Sequence, residues 1–416
     1  MTYYLKCPNC GKIYKDDGII HTCYICTNPL LDAVYNTPPF KRNIIRNIFD
    51  YGWIPVRRKV KTNIKPIVYK SIGLSDYFGI KNLYIAFSGY WPERGAFMKT
   101  CTFKDLETHV AMSRIGQIKD TIVVPSTGNV ARSFAYICCK TNNKCLIITL
   151  RDSTHKMWLP EDRLDNFEDN IKLILLGKDF NYTEAIMLCE KLCTYQNFFY
   201  DGGWKNVARR DGAGLVYLEF FRKFQCFPDF YVQAVGSGVG VLGVYGHQKR
   251  LKQNTFPTRI IAVQSSPLHP IYDFIKGIAK PYDVLKKEEK YTKIKELTNL
   301  KPPLHYVNGL GEAIRNTSGN VYYSTYSQAR KGVKIFKKCE GIDILLPAGV
   351  AVYSLYKLIE DYKIEDKKIL LHITGGGLRR LKKDYKIVKI KPTYYIKTHE
   401  EVEELIKDLI LEGGSK

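Results

Sequence analysis

From about residue 80 the chain alternates short apolar runs with longer stretches of helical periodicity. The runs at 82–87, 121–124, 145–150, 171–176, 229–235, 258–263 and 369–373 are four to seven residues long, and most are bounded by Gly, Pro or charge. They read as buried strands. The stretches at 130–139, 183–192, 214–224 and 348–362 read as helices between them. Strands alternating with helices predict an α/β architecture with mostly parallel sheets, in which ligands bind beyond the carboxyl ends of the strands.

Outside this alternation the pattern changes. Residues 27–75 are irregular and basic and include Arg57-Arg58-Lys59, while 280–303 is densely charged around Lys286-Lys287-Glu288-Glu289-Lys290. The mixed signs of the latter predict a solvated helix or surface insertion. Residues 399–411 form an amphipathic helical pattern with its acidic residues early, as the helix dipole favours. The best candidate for a membrane span, 342–356, carries Asp343 and Pro347 and falls short of the roughly 20 residues required.

Composition adds one question to this picture. The chain of 416 residues has 64 Lys+Arg against 41 Asp+Glu, a formal charge of +23, with 45% hydrophobic residues. That length predicts about two or three domains with a sizeable core, and the charge suggests a polyanionic partner. The N-terminal Met-Thr-Tyr-Tyr-Leu-Lys-Cys has no basic segment followed by an apolar stretch, so a cytoplasmic location is expected.

Four of the twelve cysteines lie in the first 26 residues, as two Cys-x2-Cys steps: Cys7 and Cys10, then Cys23 and Cys26. Two such knuckles present four thiolates in the closed tetrahedral set that structural zinc prefers. Residues 1–35 are therefore expected to be a zinc-ribbon-like segment. The other eight cysteines lie in apolar surroundings, and most are expected in the core.

Three glycine-containing loops follow predicted strands and could hold an anion. Pro125-Ser126-Thr127-Gly128-Asn129 places hydroxyls and backbone N–H groups at the start of a helix. Gly236-Ser237-Gly238-Val239-Gly240 has three glycines in five positions, a composition suited to closing N–H groups around a phosphate. It does not match the dinucleotide fingerprint, whose third glycine falls on Val241. The acid expected about 20 residues later is also missing, because no Asp or Glu occurs between Gly240 and Asp273. The third loop, Thr374-Gly375-Gly376-Gly377, is on its own as consistent with a tight turn.

Together with Thr100-Cys101-Thr102-Phe103-Lys104-Asp105, these loops resemble the fold type II pyridoxal-phosphate enzymes, the tryptophan synthase β-like group that includes threonine synthase. Within it, the chain is similar to the archaeal cysteate synthase family. The resemblance extends from the cysteine-bearing segment to Thr374. It includes Glu93-Arg94-Gly95-Ala96, Ala208-Arg209-Arg210-Asp211-Gly212 and Gln233-Ala234-Val235-Gly236-Ser237-Gly238. It implies a catalytic region over 36–416 of two interleaved α/β subdomains. It also implies pyridoxal 5'-phosphate as cofactor, bonded to Lys104, which is then the base at the substrate α-carbon.

The same resemblance implies that Asn129 contacts the pyridine 3'-oxygen and that Gly236, Ser237, Gly238, Val239 and Gly240 hold the cofactor phosphate. It further implies that Thr374 faces the pyridine nitrogen and that Ser126 and Thr127 hold the substrate carboxylate. Arg209 is the expected partner of the substrate phosphate, with Arg210 and Arg132 as rivals. The implied reaction is replacement of phosphate in O-phospho-L-serine by sulfite, giving L-cysteate for coenzyme M biosynthesis, in a homodimer. The chain departs from the usual Gly-Ser-Phe-Lys-Asp-Arg-Gly of threonine synthases, reading Cys101-Thr102-Phe103-Lys104-Asp105-Leu106-Glu107.

Two alternatives are threonine synthase, acting on O-phosphohomoserine with water, and a basic zinc-ribbon protein that binds nucleic acid. Against the second, the basic residues are scattered and no aromatic-interleaved stripe occurs. No nucleic-acid partner is expected; most of the surplus charge reads as a Lys-rich solvated surface, at most a favourable field for small anionic substrates.

Overall fold

The computed structural model describes residues 2–27, 29–162, 167–252 and 255–414. Two sheets dominate. The larger has six strands in the order Asn320–Ser324, Arg259–Ser265, Phe230–Ala234, Lys368–Ile373, Asn82–Phe87 and Ile67–Lys70. All pair in parallel except Ile67–Lys70, which runs antiparallel to Asn82–Phe87 at the edge. The smaller has five parallel strands in the order Phe198–Tyr200, Thr121–Pro125, Cys145–Leu150, Ile171–Leu176 and Tyr394–Ile396. Between these two sheets, the chain enters the larger first, builds most of the smaller, returns to finish the larger, and adds the last strand of the smaller near its end.

Each of the seven strands expected from the sequence is present. Their continuous apolar runs follow from burial on both faces, as in Asn82–Phe87, where all but the first residue are buried. The strands missed in these two sheets are their edges, Asn320–Ser324 among them. Ile67–Lys70 sits in the stretch expected to be irregular, and Phe198–Tyr200 and Tyr394–Ile396 have only three residues each. The helical stretch at 348–362 divides into Leu346–Tyr353 and Leu355–Asp361 at Ser354. There the hydroxyl donates back to the Ala351 carbonyl at 2.7 Å, a competitor to regular helix geometry. Asn181 and Glu184 start the helix Tyr182–Leu192 with a reciprocal capping box.

Four helices shape the space between the sheets: α1 (Lys104–Ile115), α2 (Asn129–Thr141), α3 (Val207–Ala213) and α4 (Val239–Leu251). Every residue of α1 after Lys104 is buried, which makes it a central rather than a surface helix. A three-stranded antiparallel sheet, Ile13–Tyr14, Tyr3–Lys6 and Asp32–Tyr35, frames the cysteine-bearing segment. Among the described residues no helix is long and apolar enough to cross a membrane.

Candidate active site

The loops after Thr121–Pro125, Phe230–Ala234 and Lys368–Ile373 meet the start of α1 around one cavity. It is lined by Lys104, Ser126, Thr127, Asn129, Gly236, Ser237, Gly238, Val239 and Thr374, among others. The strand ends of two sheets thus converge, as expected for parallel α/β folds.

Lys104 is placed by backbone stitching. Phe103 N–H donates to the Thr374 carbonyl at 3.0 Å and Gly376 N–H to the Cys101 carbonyl at 3.1 Å. To make this turn Cys101 adopts φ +58°, an uncommon left-handed conformation for a residue with a Cβ. Asp105, fully buried, accepts from Thr100 Oγ1 at 2.5 Å and Ser133 Oγ at 2.6 Å, tying the start of α1 to α2. The Lys104 Nζ donates to Glu107 Oε1 and lies 4.2 Å from the Phe103 ring centroid. Burial holds the Lys104 amine below its ordinary value, against the Glu107 carboxylate, which raises it; Arg209 lowers it further.

The glycine loop is an open cradle. No hydrogen bond within the described residues takes up the N–H of Gly236, Ser237 or Gly238, and α4 begins immediately after them. Gly238 has φ +80°, and a Cβ on it would lie 2.8 Å from Leu310 Cδ2; a Cβ on Gly236 would lie 3.0 Å from the Glu296 carbonyl. Unpaired N–H groups at a helix start suit a phosphate. Gly240 does not line the cavity; it lies inside α4 with the Gln233 side chain directly against it. Val239 both begins α4 and lines the cavity, packing beside Phe103 and Ala213.

Across the cavity, Ser126 Oγ accepts from Gly128 N–H at 3.2 Å and Ala131 N–H at 3.1 Å, capping α2. Asn129 Oδ1 accepts from Arg132 Nη2 at 3.0 Å, and its NH2 group has no partner among the described residues. The Thr127 and Thr374 hydroxyls line the cavity and likewise make no hydrogen bond among the described residues.

Arg209 is placed elsewhere. Its Nε and Nη2 donate to Glu107 Oε2 at 3.0 and 2.9 Å and its Nη1 to Asp201 Oδ2 at 3.2 Å. Burial opposes its charge, but these two carboxylates hold it above its ordinary value. It lines a neighbouring cavity of about 480 Å³ that shares Val130, Tyr182, Ser237 and Asn299 with the first. Arg210 Nη2 donates to the Leu31 carbonyl, and Arg132 to the Thr100 and Lys156 carbonyls. All three arginines weighed for the substrate phosphate are thus engaged with protein groups.

Several lining residues carry no sequence signal of their own. The charged stretch 280–303 is a solvated helix only in its first part, Tyr282–Tyr291, where no residue is buried. Its second part, Glu296 to Asn299, roofs the cavity, and Glu296 pairs with Lys156 Nζ at 2.9 Å. Their separation of 140 positions hides that pair from any local pattern. Glu107 was detectable, since i and i+3 share a helix face.

At the other end of the chain, the Sγ atoms of Cys7, Cys10, Cys23 and Cys26 lie within 4.8 Å of one another. Gly11, at φ +73°, closes the first knuckle by donating to the Cys7 carbonyl at 3.0 Å. This group can hold a structural zinc.

The family described as pyridoxal-phosphate dependent enzyme matches residues 87–375. The chain is 36% identical to cysteate synthase of Methanosarcina barkeri, over 93% of this chain and 95% of that relative. Against cysteate synthase of Methanocella paludicola the identity is 35%, over 94% and 93%. The chain belongs to the cysteate synthase family of pyridoxal-phosphate dependent enzymes. Solved structures agree on the fold. A mutant of O-ureido-L-serine synthase superimposes with a TM-score of 0.57 at 15% identity, covering 76% of this chain and 89% of that one. A fungal L-serine ammonia-lyase from Rhizomucor miehei superimposes with 0.57 at 17%, covering 77% and 100%.

As a member of this family the chain is a pyridoxal-phosphate enzyme of fold type II, and its site fits that cofactor. An N–H cradle and a Thr374 hydroxyl, both without a partner among the described residues, and the largely buried amine of Lys104 surround one space.

Proposed function

We propose that the chain converts O-phospho-L-serine and sulfite to L-cysteate and phosphate, for coenzyme M biosynthesis. The observation that carries this reading is the full-length similarity to cysteate synthases, joined to a cavity in which Lys104, Thr374 and the glycine loop face one another.

When bound, pyridoxal phosphate supplies an electron sink for the pair left as the substrate loses its α-proton. Gly236, Ser237 and Gly238 offer the N–H groups that hold its phosphate, and the Asn129 NH2 group is available to its ring oxygen. At the ring nitrogen Thr374 offers a neutral hydroxyl. Without a carboxylate there to hold a proton, the sink stays weak and prompt loss of a β-substituent is favoured over transamination.

Ser126 and Thr127, at the positive end of α2, receive the substrate carboxylate. Lys104 Nζ takes the α-proton. Phosphate leaves the β-carbon with its bonding pair, the sulfite sulfur lone pair bonds to that carbon, and Lys104 returns the proton. The Lys156–Glu296 contact roofs the cavity and helps exclude water, which competes with sulfite as nucleophile.

The test is product analysis of protein loaded with cofactor. Phosphate release from phosphoserine that requires sulfite and yields cysteate supports the reading. Release from O-phosphohomoserine without sulfite, yielding threonine, overturns it. Borohydride should fix the cofactor to Lys104, and Lys104→Ala should lose the visible absorbance.

A further inference from the structure

Beneath Lys104 lies a buried line of alternating charge that the reaction as written does not use. Glu107 is fully buried. Its Oε1 accepts from Lys104 Nζ, and its Oε2 accepts from both Nε and Nη2 of Arg209, whose Nη1 reaches Asp201. Asp201 is also buried, at 1% exposure. With Lys104 as an ammonium the line is neutral, two cations against two carboxylates. If Glu107 lost its charge, an ammonium at Lys104 would stand beside Arg209 with only Asp201 to balance both.

We propose that Glu107 is a positioning residue for proton transfer: it is the counter-ion that stabilises the Lys104 ammonium formed when the amine takes the α-proton. The proton passes from the substrate carbon to Lys104 Nζ, is held there against Glu107 Oε1, and returns to carbon from the same nitrogen, so no other donor or acceptor is consumed. Arg209, bound to the opposite oxygen, fixes the carboxylate in place. This inference rests on the reading of Lys104 as the base.

The other groups facing the amine leave this role to Glu107. From the strand Lys368–Ile373, His372 is held down to about 3 by burial and by the Lys104 charge, and so is neutral. Its ring nitrogens are occupied by Ser88 Oγ at 2.9 Å and Tyr231 Oη at 2.8 Å. Asp105 is turned to Thr100 and Ser133. From α3 and the loop before it come Arg209 and Asp201, already paired.

The experiment follows acetylation of Lys104 by acetic anhydride across a pH series, in full-length protein stripped of cofactor, read by mass spectrometry of the Lys104 peptide. Glu107→Gln keeps the side-chain shape and removes the charge, and should move the midpoint down by about one pH unit or more. Arg209→Gln should move it up, and Glu107→Asp should stay near the parent. In loaded protein, Glu107→Gln should lower kcat about tenfold to a hundredfold, with KM changed less than about twofold and the pH profile displaced.

Unmoved midpoints in folded Glu107→Gln and Arg209→Gln proteins overturn the proposal. If Glu107→Gln does not fold by circular dichroism, the Arg209→Gln and Glu107→Asp midpoints decide alone. A parent protein that makes no cysteate overturns the functional reading but leaves the acetylation result standing.

Discussion

Arg114 grips Asp16 with two hydrogen bonds, Nε to Oδ2 at 2.9 Å and Nη2 to Oδ1 at 2.8 Å, at the end of α1 opposite Lys104. Both side chains are buried, at 0% and 3% exposure. The same guanidinium donates to the Ile20 carbonyl and to Asn206 Oδ1, the N-cap of α3. One arginine therefore ties the cysteine-bearing segment to the two helices that carry Lys104 and Arg209. Asp16→Ala leaves this cation buried without its partner and should cost about 3–5 kcal/mol. Urea unfolding monitored by circular dichroism measures it.

Asp16 also lies between the two cysteine pairs, so its position depends on how firmly they are held. Chelation of zinc, or Cys23→Ser, should lower the melting temperature and open the segment between the knuckles to protease before the rest of the chain is cut. Limited proteolysis followed by mass spectrometry locates the first cleavage.

Gly238→Ala should weaken cofactor binding more than it weakens the fold. At φ +80° an added Cβ costs about 1–2 kcal/mol of backbone strain and meets Leu310 at 2.8 Å. Relieving that contact turns the N–H cradle. Absorbance titration with pyridoxal phosphate should show affinity reduced about tenfold or more, since each 1.4 kcal/mol is tenfold.

Buried histidines, His247 and His372 among them, give the fold an acid limit. Burial, then the Arg250 charge, holds His247 down to about 4; burial, then the Lys104 charge, holds His372 down to about 3. Both folded-state values are depressed, so their stabilising contribution is complete above the unfolded value of about 6.5 and is lost as pH falls from there toward the folded values. At about pH 5 each histidine should cost about 2 kcal/mol relative to neutral pH. Urea unfolding at the two pH values should show this loss, and His372→Gln should reduce the difference.

The alternating α/β pattern was legible because parallel strands buried on both faces are apolar over most of their length, as Ile171–Leu176 is apart from Lys172. The short edge strand Ile67–Lys70 was not, because its pairing partner rather than its own composition makes it a strand. Ser126, Gly236 and Thr374 could be picked out because each sits in a loop with a recognisable chemical composition, and Lys104 because its Thr-Phe-Lys segment carries the family resemblance. The roof at Glu296 and the arginine pairings were hidden for the opposite reason. Their partners, Lys156 for Glu296 and Glu107 and Asp201 for Arg209, are distant in sequence and are selected only by the fold. A charged stretch such as 280–303 looks alike whether it projects into solvent or turns back over a cavity.

The crossing of the chain between its two sheets bears on how the protein is made. Neither sheet is complete when the ribosome has finished the first 300 residues: the larger still lacks Asn320–Ser324 and Lys368–Ile373, and the smaller lacks Tyr394–Ile396. Thr374 and the turn that seats Lys104 against it come later than almost every other part of the site. Such long-range pairings make folding slow and expose unpaired strand edges meanwhile. Cofactor capture is therefore a late event that follows synthesis of nearly the whole polypeptide, and a nascent chain stalled before that point holds a lysine but no pocket.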